Sequence, residues 1–131
     1  MNRAIVKKID TAFSKFIRTR DDQGGVFLCC SCRQMKPSSQ MDAGHFINRR
    51  WLATRWREDN VHGQCRSCNR FDEGNAVGYT RFMLSKYGES HVDYLESLKN
   101  ATMKYTDGEG LILLAEYKRK LKELTKNKKD V

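Results

Sequence analysis

Ile5, Ile9, Ala12, Phe13, Phe16 and Ile17 recur three and four residues apart. That is the period of one helical face, and it predicts an amphipathic helix over about residues 4–19. Asp21-Asp22-Gln23-Gly24-Gly25 follows as a turn. Val26, Phe27 and Leu28 form a short apolar run that reads as a strand leading into a group of cysteines, and Pro37-Ser38-Ser39 marks a second turn. Residues 41–47 predict another strand, interrupted at Gly44 by a bend or a close backbone approach. From 49 to 59 no period is visible, and the stretch is polar and arginine-rich around Trp51 and Trp56. Asn75 is placed to cap a helix carrying Val77, Tyr79, Phe82, Met83 and Leu84, which Tyr87-Gly88 ends. Val92, Tyr94, Leu95 and Leu98 predict a further short helix. Asp107-Gly108 reads as a break before a last helix over about Leu111 to Lys126, with the terminal KNKKDV frayed. Leu114, Tyr117, Leu121 and Leu124 share one face of that helix, to pack against the first helix or against a second copy as a homodimer.

Helices mixed with short strands and no internal repeat give an α+β class, and 131 residues fit a single domain. Its segments are an N-terminal helix at 1–25, a central core at 26–80 and a helical flank at 81–131. Apolar residues make up 39% of the chain, a thin core that calls for a staple. No apolar run approaches the roughly 18 residues of a membrane span, and the first residues lack a secretory pattern, so no membrane partner and a cytoplasmic location are expected. Lysine and arginine number 25 against 16 acids, for a formal charge of +9. Such a balance favours an anionic partner, and nucleic acid is the usual one.

Five cysteines change the picture further. An odd number argues against a disulfide framework. They fall in two tight groups, Cys29-Cys30-Ser31-Cys32 and Cys65-Arg66-Ser67-Cys68. Within each, a C-x2-C spacing lets two thiolates of one turn reach one metal, and two such turns complete a tetrahedral shell around Zn2+. Cys29, Cys32, Cys65 and Cys68 are the candidate ligands. A closed shell leaves no open position, so this zinc would stabilise the fold and perform no chemistry. A redox pair is the rival reading, but it needs no second copy. Cys30 is the spare thiol and reads as packing. The pairs are separated by 32 residues, more than a plain zinc ribbon needs, and that insertion holds His45 and His62.

Fourteen residues separate His45 from Asn60, and eight separate Asn60 from Asn69. Interleaved with the cysteine pairs, this spacing resembles that of the HNH nucleases. The stretch from Asp42 to Asn75, with Gly44-His45-Phe46, Asn60-Val61-His62-Gly63-Gln64-Cys65, Cys68-Asn69 and Gly74-Asn75, resembles the phage lambda NinG (Rap) recombination-nuclease family. The cysteine and asparagine arrangement is also similar to the phage endonuclease VII family, which resolves branched DNA. These resemblances imply a small zinc-stapled ββα-metal core at 26–80 with flanking amphipathic helices. They imply a metal-dependent endonuclease that hydrolyses DNA phosphodiester bonds in branched or single-stranded recombination intermediates. A bacterial host's cytoplasm as the location, recombination proteins as further partners and a homodimer follow from the same likeness.

The chemistry explains the residue types. Hydrolysis requires a water to be deprotonated and the charge on phosphate and leaving group to be stabilised. A histidine near its ordinary pKa can take the water's proton, and His45 is the candidate base. The resemblance assigns Asn60 to fixing the histidine loop and Asn69 to the last ligand position, where its oxygen would hold Mg2+ or Mn2+. One position departs from the HNH pattern: an Asp or His ligand usually precedes the base, and here Gly44 does. Asp42 is the candidate replacement, with Asp72 and Glu73 as alternatives. His62 is a second candidate catalytic residue, able to bind metal or phosphate, while His91 reads as a surface residue. Arg49, Arg50, Arg55 and Arg57 are candidate DNA contacts, with Trp51 and Trp56 turned into the core. Each also has a plainer reading: His45 as a hydrogen-bonded strand residue, Asn60 as a turn residue, Asn69 as a helix cap, and the arginines as a solvated loop. The functional alternative is a non-catalytic, zinc-stabilised DNA-binding or recombination adaptor module, which Gly44 keeps open.

Overall fold

Three small apolar clusters, rather than one large core, hold the chain together. The computed structural model describes residues 1–129. Helix α1 (Arg3–Asp21) starts at Asn2, whose side chain accepts from the Ala4 amide at 2.7 Å, and buries Ile9, Ala12, Phe13, Phe16 and Ile17. Against this face lies α5 (Asp107–Lys129), with the Tyr117 ring edge-on to Phe13 and Phe16 at 4.9 and 5.5 Å. Leu114 and Tyr117 are thereby covered by α1 within the same chain.

The strands form two antiparallel pairs. β1 (Val26–Leu28) pairs with β2 (Met35–Pro37), and β3 (Met41–His45) with β4 (Val61–Cys65), setting Gly44 opposite His62 and His45 opposite Val61. One face of β3–β4 meets α1 and the other meets α3 (Ala76–Tyr87), which is followed directly by α4 (Glu89–Leu98). Between β3 and β4 lies a loop with the one-turn helix α2 (Leu52–Arg55). A π-helical turn (Ser67–Phe71) links β4 to α3. Asn75 caps α3, accepting from the Gly78 amide at 3.2 Å. A Cβ at Gly78 would lie 2.9 Å from the Ser31 carbonyl carbon, so the absence of a side chain there lets α3 rest on the first cysteine turn.

Several expectations are corrected. β2, α2 and β4 are additional elements, and β3 ends at His45 instead of running to residue 47. Asp107-Gly108 opens α5 instead of breaking the chain. The Thr106 hydroxyl accepts from the Glu109 amide at 3.1 Å and the Glu109 carboxylate accepts from the Thr106 amide at 3.0 Å, a reciprocal box that starts a helix. That helix runs on to Lys129, so Lys126 to Lys129 are helical, not frayed, and the remaining two residues of the expected tail lie outside the described residues. The boundary placed between residues 80 and 81 falls inside α3. No helix of the described residues is long and apolar enough to cross a membrane.

Candidate functional site

The first cysteine pair sits on the turn after β1. The Cys29 amide donates to the Gln34 carbonyl at 3.0 Å, and the Arg33 amide donates back to the Cys29 carbonyl at 3.0 Å. Arg33 adopts a left-handed backbone, with φ of 63°, to close the turn. Cys65 ends β4 and Cys68 lies in the π-helical turn. The Sγ atoms of Cys29, Cys32, Cys65 and Cys68 all lie within 4.8 Å of one another. Amide donors also reach two of the sulfurs: Cys65 N–H to Cys29 at 3.3 Å and Asn75 Nδ2 to Cys68 at 3.4 Å. Burial opposes a charged Cys29, but the amides of Cys65, Cys32 and Ser31 outweigh it and bring its pKa down to about 7. Four soft donors, with no fifth in the group among the described residues, suit tetrahedral zinc. Cys30 points instead into the cluster of Ile47, Tyr79 and Met83, where burial pushes its thiol up to about 12.

On the other side of β3 a cleft of about 500 Å3 opens, lined by His45, Asp10, Arg49, Asn69, Glu73 and Gly74 among others. His45 Nε2 lies 2.9 Å from the Arg55 carbonyl oxygen. A carbonyl only accepts, so Nε2 carries the proton and Nδ1 keeps its lone pair. Burial, with help from Arg49 and Arg55, holds the His45 pKa below the ordinary histidine value, so the ring is neutral at pH 7. Asn60 supports this arrangement. Fully buried, its side chain accepts from the Ile47 amide at 2.9 Å and donates to the Ile47 and Thr54 carbonyls, both at 3.1 Å. Its carboxamide thus fastens the loop whose Arg55 carbonyl orients His45.

Asp10, on α1, is a site residue the sequence reading missed. Its carboxylate accepts from Arg55 Nε and Nη2 at 3.0 and 2.6 Å, from Trp56 Nε1 at 2.9 Å and from Arg49 at 3.1 Å. Burial works against that charge, but the Arg55 and Trp56 hydrogen bonds hold its pKa below the usual carboxylate value. Nothing in the local sequence marks it, because its partners lie 39 to 46 residues away.

Asn69 and Asp42 are brought together: Asn69 Nδ2 donates to Asp42 Oδ2 at 3.0 Å. The same carboxylate receives a two-pronged pair from Arg70, both bonds at 2.9 Å. Asp42 lines a second groove beside the first, and of the three candidate acids Glu73 is the one that lines the His45 cleft along with Asn69. Gly44 has no room for a ligand, since a Cβ there would lie 2.9 Å from Gln64 Cβ and nearer still to Gln64 Oε1. Gln64 is itself buried, donating to Ser31 Oγ at 2.8 Å and the Gly74 carbonyl at 2.6 Å.

His62 is not in the cleft. It is buried beneath α3, with Nδ1 at 3.2 Å from the Tyr79 hydroxyl and Nε2 at 2.7 Å from the Tyr87 hydroxyl. Tyr79 in turn donates to the Gly44 carbonyl at 2.6 Å, so the chain of bonds ends on the peptide just before His45. Burial, with Arg20 nearby, depresses the His62 pKa to about 3. The four loop arginines differ among themselves. Arg55 is held by Asp10 and Arg57 by Asp59, at 2.6 and 2.8 Å. Arg49 is 62% exposed beside the cleft, and Arg50 lies over the Trp51 ring at 4.8 Å. Trp56 is buried and Trp51 packs on the α3–α4 cluster. His91 is half-buried, stacked on Tyr87 and 2.8 Å from Asp59, not a free surface residue.

The family described as "Bacteriophage Lambda NinG protein" matches residues 2–128. Protein ninG of Escherichia phage lambda is 36% identical over 126 residues, covering 95% of this chain and 59% of the relative. Protein ninG of Salmonella phage P22 is 35% identical over 120 residues, covering 91% of this chain and 57% of the relative. That of Escherichia phage 933W is 34% identical, covering 95% and 60%. The chain belongs to the NinG family. It spans about three fifths of the length of these curated relatives. No solved structure matches it.

Two outcomes follow from the buried groups. Metal analysis of the purified protein should return one zinc per chain, and Cys65→Ser should lose both zinc and cooperative unfolding, whereas Cys30→Ala should keep the metal. A well-folded protein free of zinc would contradict this. The second outcome concerns acid. His62 titrates near 3 when folded and near 6.5 unfolded, so the unfolded chain binds the extra proton in between. Its contribution is therefore complete above about pH 6.5 and is lost as pH falls. Between pH 7 and 5 it should remove about 2 kcal/mol of stability. Urea unfolding of His62→Gln should lack that part of the decline; identical slopes in parent and variant would refute it.

Proposed function

We propose that this protein is a metal-dependent DNA endonuclease of the HNH type, related in mechanism to phage endonuclease VII. Its substrates are branched or single-stranded recombination intermediates. The observation that carries the reading is the state of His45. Its Nε2–H is spent on a backbone carbonyl, its ring is neutral, and its Nδ1 lone pair is left free on a residue that lines an open cleft. That is what a general base acting on water requires. The β3–β4 pair followed by α3 supports a ββα core, and Asn60 supplies the rigid loop that such a base needs.

A second metal would bind hard oxygen donors in the same cleft. Asn69 gives its Nδ2 to Asp42, which leaves its Oδ1 as an acceptor, and the Glu73 carboxylate lines the same cleft. Among the described residues only the four cysteines form a group of three or more metal-binding His, Cys, Asp or Glu side chains. Mg2+ and Mn2+ sites built from one or two protein oxygens and completed by substrate phosphate and water fit this short donor set. When bound, such an ion supplies charge stabilisation at the phosphate and the leaving oxygen. Within the chain, His45 accepts the water's proton at Nδ1 and Asn60 holds the loop. Tyr79, backed by His62 and Tyr87, steadies the Gly44–His45 peptide. Arg49 stands ready for phosphate.

Single-turnover nicking at saturating protein tests the reading. His45→Ala should lower the rate by about 10²–10⁴-fold with zinc content and DNA affinity kept. In the parent, the rate should rise with pH to a plateau whose midpoint lies below the ordinary histidine value of about 6.5, because the ring resists protonation. A His45→Ala protein that cuts at the parent rate would remove the base. A parent that binds DNA but never cuts, with any divalent ion, would leave the adaptor module as the function.

A further inference from the structure

The groove beside the His45 cleft holds three arginines that have no part in the chemistry above. It shares Ser14, Ala43 and Asn69 with that cleft and has a volume of about 420 Å3. Three guanidiniums, from Arg18, Arg66 and Arg70, line it against the single carboxylate of Asp42. Arg70 is paired with Asp42 at 2.9 Å, and Arg66 stands off it at 4.0 Å. Arg18 makes one bond, from Nε to Ser14 Oγ at 3.3 Å, and among the described residues it has no carboxylate partner. Arg66 and Arg70 are each about half exposed, at 50% and 53%. The groove thus holds more cations than it can neutralise, and their unused N–H groups face solvent.

Directly after Arg70 comes Phe71, which is 83% exposed, more than any other large apolar side chain of the described residues. It lies between Asn69 and Glu73, both of which line the His45 cleft. An aromatic ring left in water, directly after a residue that lines the arginine groove, has no use in folding. Together they match what an unpaired nucleic-acid strand offers. The arginines take successive phosphates, and the ring takes the face of a base whatever its identity. A duplex offers the phosphates but keeps its base faces stacked inside.

We propose that Arg18, Arg66 and Arg70 hold the phosphodiester backbone of an unpaired strand next to the scissile bond, and that Phe71 stacks on one of its bases. This rests on the nucleic-acid reading of the adjoining cleft and names the part of the substrate that enters beside it. Specificity for flaps, gaps or junction arms would then come from a base face that intact duplex cannot present.

Binding without cleavage separates the two claims. Zinc-loaded His45→Ala protein is titrated with a short single strand carrying 2-aminopurine and with a duplex of the same sequence, across a range of salt. Adding Phe71→Ala should weaken single-strand binding about tenfold and abolish the quenching of 2-aminopurine, with duplex affinity unchanged and Phe71→Trp restoring both. Arg18→Ala combined with Arg66→Ala should flatten the single-strand salt slope by about 1.4, at about 0.7 per lost phosphate. Equal losses on duplex and single strand, or none on either, would overturn the inference while leaving the cleft's nuclease reading in place. Failure of the parent to bind any DNA would overturn both.

Discussion

Four cysteine sulfurs held within 4.8 Å of one another cannot all carry charge unless a cation sits among them, and the architecture hangs on that constraint. Cys29 and Cys32 fasten the β1 turn, Cys65 the end of β4, and Cys68 the turn that aims α3. The apolar clusters are each too small to fix these pieces alone. One comprises α1 and α5, another α3 and α4, and the third is built largely from the cysteines themselves. A metal ion such as zinc in this position would tie the strand pair that carries His45 to the loop that carries Asn69 and Glu73. Metal binding and site assembly then become one event.

Around that staple, the cleft is held by polar groups that are buried and satisfied. Asn60 fastens the loop from inside and Asp10 from α1, and both converge on the Arg55 segment, whose carbonyl fixes the His45 ring. The Tyr87–His62–Tyr79 chain fixes the preceding peptide from the opposite face of the strands. Such networks are costly when half made, because each orphaned buried group costs about 1–3 kcal/mol. Substitutions at Asn60 or Asp10 therefore act on His45 without touching it. Gly44 belongs to the same logic: the space that a side chain there would need is filled by Gln64.

The helices with apolar periods were legible in the sequence, and so were β1 and the cysteine shell. β4 was not, because Val61-His62-Gly63-Gln64-Cys65 buries all of its residues, including two polar ones, and shows no alternation. The start of α5 was obscured by Asp107-Gly108, although Thr106 and Glu109 carry the capping signal. Within the site, the spacing of His45, Asn60 and Asn69 picked out two residues that line one cleft and a buried asparagine that fastens the loop beside it. It gave no reason to separate His62 from His45, since strand pairing sets them on opposite faces only once the register is known. Asp10 and the Arg18–Arg66–Arg70 groove were invisible because they are assembled from distant segments.

In the proposed reaction a water molecule, deprotonated at His45, attacks a phosphodiester bond. Cleavage of a single-stranded or branched oligonucleotide in water labelled with heavy oxygen tests it directly, read by mass spectrometry of the product phosphate. Of the two fragments from each cut, the one that keeps the phosphate should carry solvent oxygen on it, and the other should end in an unlabelled hydroxyl. Absence of cut products, or a product phosphate without the label, would contradict it.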